Sequence, residues 1–405
     1  MEYILNVAND LGYGSIKATL NDEKVKMPSV IASEKPQDIT EPVSFNSQEQ
    51  QAAYMKDFIN KMDVSVSSSV VTKQGRYLVG QAAVNSNLPL TAFDINDYAG
   101  KSDDDLAMVL TLSLIAGKRV KDAFFNSEDL GETLKVTVNM ATALPVAEGK
   151  NTGVIDRYKN KFLGKTHTVT FHNFKDPITV AIKFRSVYVA LEGEVAQLYI
   201  KYADKKFKET LVADLKANYP DMAGITADDI VQTQNVLGID IGEGTTDLVM
   251  LVNNLVNAKA STSLAKGYGN VLQLANDVLQ KQQMGLFDSR AQLQKYLAQH
   301  VSPFARKHQQ RVQKVVYEQL DPFADEIVTA VSKTMRAANA QAELIYVYGG
   351  GSIPMATQSS LRTKLADKLR RFTDGDEVPI IWIAPEYAQF LNEKGLELLL
   401  SAISE

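Results

Sequence analysis

The chain has 405 residues, 45% hydrophobic and 22% charged, with 43 Lys and Arg against 48 Asp and Glu and a formal net charge of −5. That length holds two or three domains with separate cores, and the acidic balance gives no general reason to expect DNA or an anionic membrane as a direct partner. The lack of cysteine excludes disulfides and thiolate metal sites, and the 4 histidines form no ligand-spaced cluster.

The first ten residues, MEYILNVAND, carry no basic region and no cleavage-like site, so they do not read as a signal peptide. They open a meander of three strands, YILNVAND, GSIKATLN and KVKMPSVIAS. Residues 34–52 are polar, with Pro36 and Pro42, and read as an exposed excursion. SSSVVTKQGRYLVGQAAV (67–84) reads as a hairpin turning at Gln74-Gly75. After YAGKSDDD comes a strong helix, with Ser102 as its expected cap and Asp103 to Asp105 complementing its dipole. Its apolar run, LAMVLTLSLIAG (106–117), and a later one, LELLLSAI (396–403), are too short to span a bilayer and read as buried helices. The expected location is therefore the cytoplasm.

TLKVTVNMATALPVA reads as a central strand ending in a loop at Pro145, and Glu148 beyond it as a solvated helix-start charge. HTVTFHNFKDPITVAIKFRSVYVAL supplies two or three strands. Residues 203–234 are polar and lysine-rich, a helical insertion with a surface loop at Tyr219-Pro220. NVLGIDIGEGTTDLVMLVNNLV then repeats the opening plan of strand, glycine turn and strand. Residues 269–340 are helical by periodicity; within them FARKHQQR (304–311) reads as a solvated basic face. The strand LIYVYGGGSI, a helix near 358–372, the strand VPIIWIA and a last helix from Pro385 close the chain. Strand meanders followed by helix crossovers, twice over, predict a duplicated α/β architecture.

The two glycine hairpins carry the chemistry. Asp10, Gly12, Tyr13, Gly14, Ser15 and Lys17 form the first; Asp240, Gly242, Glu243, Gly244, Thr245, Thr246 and Asp247 form the second. In each, an apolar strand ends in aspartate, with glycines two and four residues on and a hydroxyl residue after them. Glycine allows a positive φ and lets a phosphate approach the backbone, where successive N–H groups form an anion nest. Hydroxyls of Ser15, Thr245 and Thr246 add donors, and Lys17 supplies a point charge for a β-phosphate. Asp10 and Asp240 suit Mg²⁺ held largely through its waters. Gly349, Gly350, Gly351 and Ser352 end a third strand, where bare backbone accepts a planar base or ribose. One such hairpin alone is weak; two in the same frame with the triple glycine are far more specific.

At these residues the chain resembles the superfamily of actin, heat-shock chaperones and sugar kinases, with Asp10 to Lys17 matching the first phosphate motif, Asp240 to Asp247 the second and Gly349 to Ser352 the adenosine motif. Within it, the chain resembles the ParM (StbA) group of plasmid-segregation actins. ATALPVAEGK resembles that group's GLP loop without its glycine, VYVALEGEVAQL its P-E-G/S stretch with Leu191 in place of the proline, and APEYAQFLNEKGL its C-terminal return helix.

The resemblance implies a duplicated actin-like (ribonuclease H-like) fold of two lobes around a nucleotide cleft. Lobe I is expected over 1–235, with a small subdomain at 31–92 and the insertion at 203–234. Lobe II is expected over 236–385, with a helical subdomain at 269–318, and 386–405 as a helix returning to lobe I. The resemblance further implies an ATPase (GTP remains open) that uses Mg²⁺ and polymerises into filaments. A DNA-binding adaptor would link the filament to a plasmid, with no direct nucleic-acid or membrane contact. Glu192 is the implied catalytic residue, orienting the attacking water, against a purely capping role; Asp247 is the second candidate. A small-molecule kinase, a chaperone-like ATPase and an MreB-like cytoskeletal role are the alternatives on the same fold.

Overall fold

The computed structural model describes the chain apart from residues 1, 40, 95–99, 286, 288, 340 and 405. Thr40 in the polar excursion, Tyr98-Ala99 before the first long helix, Leu286, Asp288 and Ala340 in the helical stretch, and the terminal Met1 and Glu405 thus lie outside the described residues. The contacts divide the chain into two compact units: Met1–Leu144 with Glu148–Leu191 and Asn392–Glu405, and Pro145–Ala147 with Glu192–Leu391.

In the first unit ten strands form one sheet: β1 (Ile4–Leu11), β2 (Ser15–Leu20), β3 (Glu23–Pro28), β4 (Val30–Glu34), β5 (Asp63–Ser67), β6 (Arg76–Val79), β7 (Leu90–Ala92), β8 (Leu134–Leu144), β9 (Thr166–Phe171) and β10 (Ile178–Leu191). Their order is β3-β2-β1-β8-β10-β9-β5-β6-β4-β7. β1, β2 and β3 are antiparallel neighbours, while β1, β8 and β10 run parallel. The crossover from β1 to β8 includes the helix Asp105–Phe125, buried without interruption from Leu106 to Val120, which is why its sequence is apolar on every side.

Four local readings change. The expected third strand is two, because Pro28 lacks an N–H and Ser29 turns to the β1–β2 loop; β3 stays on the sheet edge and β4 pairs with β6 and β7. The expected hairpin at 67–84 has its first strand earlier, at β5, with residues 68–75 as the loop. The cap of the long helix is Asp104, whose side chain accepts the Leu106 N–H at 2.9 Å, while the Ser102 N–H donates to Glu148 at 2.7 Å. Glu148 is accordingly half-buried, also accepting the Lys101 N–H at 3.1 Å, and is no solvated charge.

The second unit holds β11 (Val236–Ile241), β12 (Thr246–Val252), β13 (Leu255–Val256), β14 (Thr262–Leu264), β15 (Leu344–Tyr348) and β16 (Ile380–Trp382). Their order is β13-β12-β11-β15-β16, with β14 paired to β12. β11 and β12 are antiparallel, and β11, β15 and β16 parallel, repeating the plan of β2, β1, β8 and β10. Residues 203–234 are helical, as expected, but pack in this second unit. Asp214 in the helix Lys205–Asn218 accepts the Trp382 N–H at 2.9 Å, and the Tyr219 hydroxyl accepts the Ile380 N–H at 3.0 Å. Side chains thus satisfy the open edge of β16, where unpaired N–H groups would otherwise invite another strand.

β4, β5 and β6 bring Glu34 and Asp63 onto one guanidinium. Arg76 holds Asp63 bidentately, with Nε at 2.7 Å, and its Nε lies 3.2 Å from Glu34. Burial, then the neighbouring Asp63, push the Glu34 carboxyl up to about 7 from its ordinary 4.5. A raised acid binds its proton more tightly when folded, so this stability contribution is complete below 4.5 and is lost as pH rises through 7. Glu34→Gln should therefore gain melting temperature relative to the parent as pH goes from about 5 to 8, read by thermal denaturation across that range.

Candidate functional site

Each hairpin places its aspartate by register. Asp10 on β1 faces Lys17 on β2, and Asp240 on β11 faces Asp247 on β12. In the first unit the pair is an ion pair, Lys17 Nζ to Asp10 at 3.3 Å, with both side chains largely buried. In the second an acid lies opposite an acid, an arrangement that needs donors. Thr245 Oγ1 donates to Asp247 at 2.8 Å, and Ser263 Oγ on β14 donates to the same carboxylate.

Turn geometry is shared as well. The Gly12 N–H donates to the Ser15 carbonyl at 3.2 Å, and the Gly242 N–H to the Thr245 carbonyl at 2.9 Å. A Cβ on Gly12 would lie 2.7 Å from the Ser15 oxygen, and one on Gly242 3.1 Å from the Thr245 oxygen. Neither glycine has positive φ. The residue is needed here for close approach, not for a left-handed backbone, which corrects the sequence reading.

The carbonyls of both turns are tied into the protein. Ser29 donates its hydroxyl to the Gly12 carbonyl at 2.7 Å and its N–H to the Gly14 carbonyl at 3.1 Å. In the second hairpin the Tyr268 N–H donates to the Gly242 carbonyl at 2.9 Å and the Gly269 N–H to the Glu243 carbonyl at 2.8 Å. These are donors of the first turn of the helix Tyr268–Lys281, which otherwise lack partners. A turn whose negative ends are held this way is suited to offering its N–H edge to an anion.

The third element supplies a left-handed glycine. Gly349 has φ 90°, and a Cβ there would collide with the Asp240 carboxylate and the Ile241 carbonyl. The Gly349 N–H donates to Ala388 and the Gly351 N–H to Ile241, each at 2.8 Å. Gly350 is exposed, with nothing closer than 3.9 Å to its Cβ position, and is the open backbone of the loop.

Some expected ligands are otherwise engaged. Thr246 is fully buried, and its hydroxyl donates to the Lys266 carbonyl at 2.9 Å. Ser352 is buried too, donating its hydroxyl to Gly349 at 2.8 Å, so it holds the loop together rather than reaching outward. The Glu243 carboxylate lies 3.4 Å from Arg290, leaving that residue's backbone as its contribution. Glu192 is 7% exposed between β10 and the helix Glu194–Tyr202, one residue before its cap Gly193. Burial, then the charges of Asp240, Asp247 and Glu192, raises the Tyr348 phenol well above its ordinary value.

Ser29, Ser263, Tyr268 and Lys101 escaped the sequence reading, since none lies within a glycine motif. Lys101 is 2% exposed, donates to the Leu11 carbonyl at 2.7 Å and sits 4.8 Å from the centre of the Tyr13 ring. No group of three or more acidic, His or Cys side chains able to hold a metal occurs among the described residues.

Two family models match the chain: the N-terminal domain of actin-like proteins over residues 8–194, and the C-terminal domain of archaeal MreB-like actin homologues over residues 238–359. The chain belongs to the actin-like proteins. No curated protein matches it. Among solved structures, the actin-like protein Alp7A is 17% identical with a TM-score of 0.69, over 99% of this chain and 97% of that one. Ta0583, an archaeal actin homologue, is 15% identical with a TM-score of 0.60, over 98% and 99%. Bacillus thuringiensis ParM, solved with ATP, is 14% identical with a TM-score of 0.60, over 100% of both chains. At these identities the likeness is one of fold.

The glycine loop of this actin-like chain gives a direct test. Gly349→Ala should cost about 1–3 kcal/mol in thermal or urea denaturation, because φ 90° is strained for alanine and Asp240 occupies the Cβ position. Gly350→Ala should stay within about 0.5 kcal/mol of the parent.

Proposed function

We propose that this actin-like chain is a Mg²⁺-dependent ATPase whose nucleotide cycle drives its assembly into filaments, and that the filaments segregate plasmid DNA through a separate DNA-binding adaptor. The observation that carries the reading is the pair of register-matched hairpins, each with a buried aspartate and with its turn carbonyls tied inward. In this reading both hairpins serve one nucleotide. Lys17 reaches the β-phosphate, the N–H groups of Tyr13 to Ser15 and of Glu243 to Thr245 line the phosphates, and Gly350 offers its backbone to the base or ribose. Asp10 and Asp240 hold the waters of Mg²⁺, which supplies charge neutralisation of the phosphates when bound.

Glu192 orients the attacking water, and Asp247, fixed by Thr245 and Ser263, is its second anchor. The base is adenine, as in the Bacillus thuringiensis ParM solved with ATP, with GTP as the competing choice. Triphosphate favours the polymerising state and its loss weakens assembly, a switch that rests on different affinities for two conformations. The net charge of −5 favours an adaptor over direct DNA contact. No helix among the described residues is long and apolar enough to cross a membrane.

Mg-ATP should produce light scattering that rises above a threshold protein concentration, with filaments in electron micrographs. ATP turnover stimulated by small sugars without polymer would overturn the filament reading in favour of a kinase. Lys17→Ala should weaken ATP binding roughly 10- to 100-fold by calorimetry, the worth of a charge-assisted contact. Glu192→Ala should slow phosphate release on the order of 100-fold while assembly persists; equal loss of both would remove Glu192 from the chemistry.

A further inference from the structure

Among the described residues, four buried side-chain polar atoms of the second unit have no hydrogen-bond partner in the protein, and two of them, Tyr348 Oη and Gln197 Nε2, lie together. Tyr348 ends β15 and is 1% exposed; Gln197 lies on the helix Glu194–Tyr202 and is 8% exposed. They meet over Gly238, where a Cβ would lie 3.0 Å from each atom. A Cβ on Gly193, the residue after Glu192, would lie 3.2 Å from the same hydroxyl. Two glycines on different elements thus leave room around one buried phenol.

Leaving two such groups without partners is costly, and native interiors meet the need with ordered water. Both orphan atoms are donors. A water accepting from both would turn its own protons away from them, toward an acceptor. Burial, and after it the charges of Asp240, Asp247 and Glu192, raises the Tyr348 phenol well above its ordinary value. Tyr348 therefore remains a neutral O–H donor.

We propose that Tyr348 and Gln197 hold a buried water beside the Glu192–Gly193 turn, and that this bridged pair is a positioning device for the Glu192 carboxylate. The pair joins the strand that carries the glycine loop to the helix that follows Glu192. Its role in turnover rests on the ATPase reading above; the water site itself does not.

Tyr348→Phe separates the possibilities by sign. If the hydroxyl is bridged, the variant loses a hydrogen bond and its melting temperature falls. If the hydroxyl is a true orphan, removing it relieves a desolvated group and the melting temperature rises, which would overturn the proposal. Gln197→Met should behave alike, and the double variant should fall by less than the sum of the two; strict additivity counts against a shared water. A crystal structure at a resolution that shows ordered water should place one within hydrogen-bond distance of both atoms in the parent and none in Tyr348→Phe. In steady-state assays Tyr348→Phe should lower kcat several-fold at unchanged KM and move the acidic limb of the pH profile upward, because Glu192 loses donors that favour its charged form. A kcat loss with an unmoved limb would assign the pair a structural role only. A parent without ATP turnover would overturn the ATPase reading alone, and the thermal and crystallographic results would still decide the water site.

Discussion

An aspartate near the end of a buried strand needs a partner, and in both halves of this chain the antiparallel register decides which one it gets. Asp10 receives Lys17. Asp240 receives Asp247, and the rest of the second hairpin is arranged around that like-charged pair. Asp247 takes hydroxyl hydrogen bonds from Thr245 and Ser263, which is why β14 must lie against β12 with Ser263 in register. Asp240 is set against Gly349, which is why that position carries no side chain.

The turns obey a second constraint, that their carbonyls be neutralised from behind. Ser29 does this for Gly12 and Gly14 in the first unit, with its hydroxyl and its N–H, and so breaks what would be a single strand into β3 and β4. In the second unit the opening N–H groups of a helix do it. The same electrostatic end is reached by different residues, and each solution shapes its surroundings: a sheet edge in one half, a helix start in the other.

What was legible in the sequence follows from range. The two glycine hairpins, the central strands and the buried helix Asp105–Phe125 are local patterns of alternation, glycine spacing and apolar runs, and they appear where the pattern put them. Partners brought from far along the chain were not legible. Ser29, Ser263 and Lys101 look like ordinary residues until the sheet brings them to the turns. Glu148 read as solvated because nothing local shows that the backbone N–H groups of Lys101 and Ser102 await it. Residues 203–234 read correctly as helical, yet their polarity hid Asp214 and Tyr219 as edge partners of β16. The Thr246 hydroxyl, expected as a donor at the turn, gives its proton to the Lys266 carbonyl for the opposite reason: a motif names residue types, but packing decides which way they are used.

The two hairpins share topology and register but differ in charge, and that difference orders their proposed tasks. Around the first stand two cations, Lys17 and the buried Lys101, which favour an anion at the turn. Around the second stand Asp240, Asp247 and Glu192, with Arg290 near the Glu243 carboxylate. Three carboxylates are a poor place to hold phosphate by charge alone and a good place to hold a polarised water, since each accepts hydrogen bonds and disfavours further negative charge. In the proposed cycle the first hairpin binds through amides and cations and the second orients water through acids, a division that follows the charge facing each strand-end aspartate, lysine in one copy and aspartate in the other.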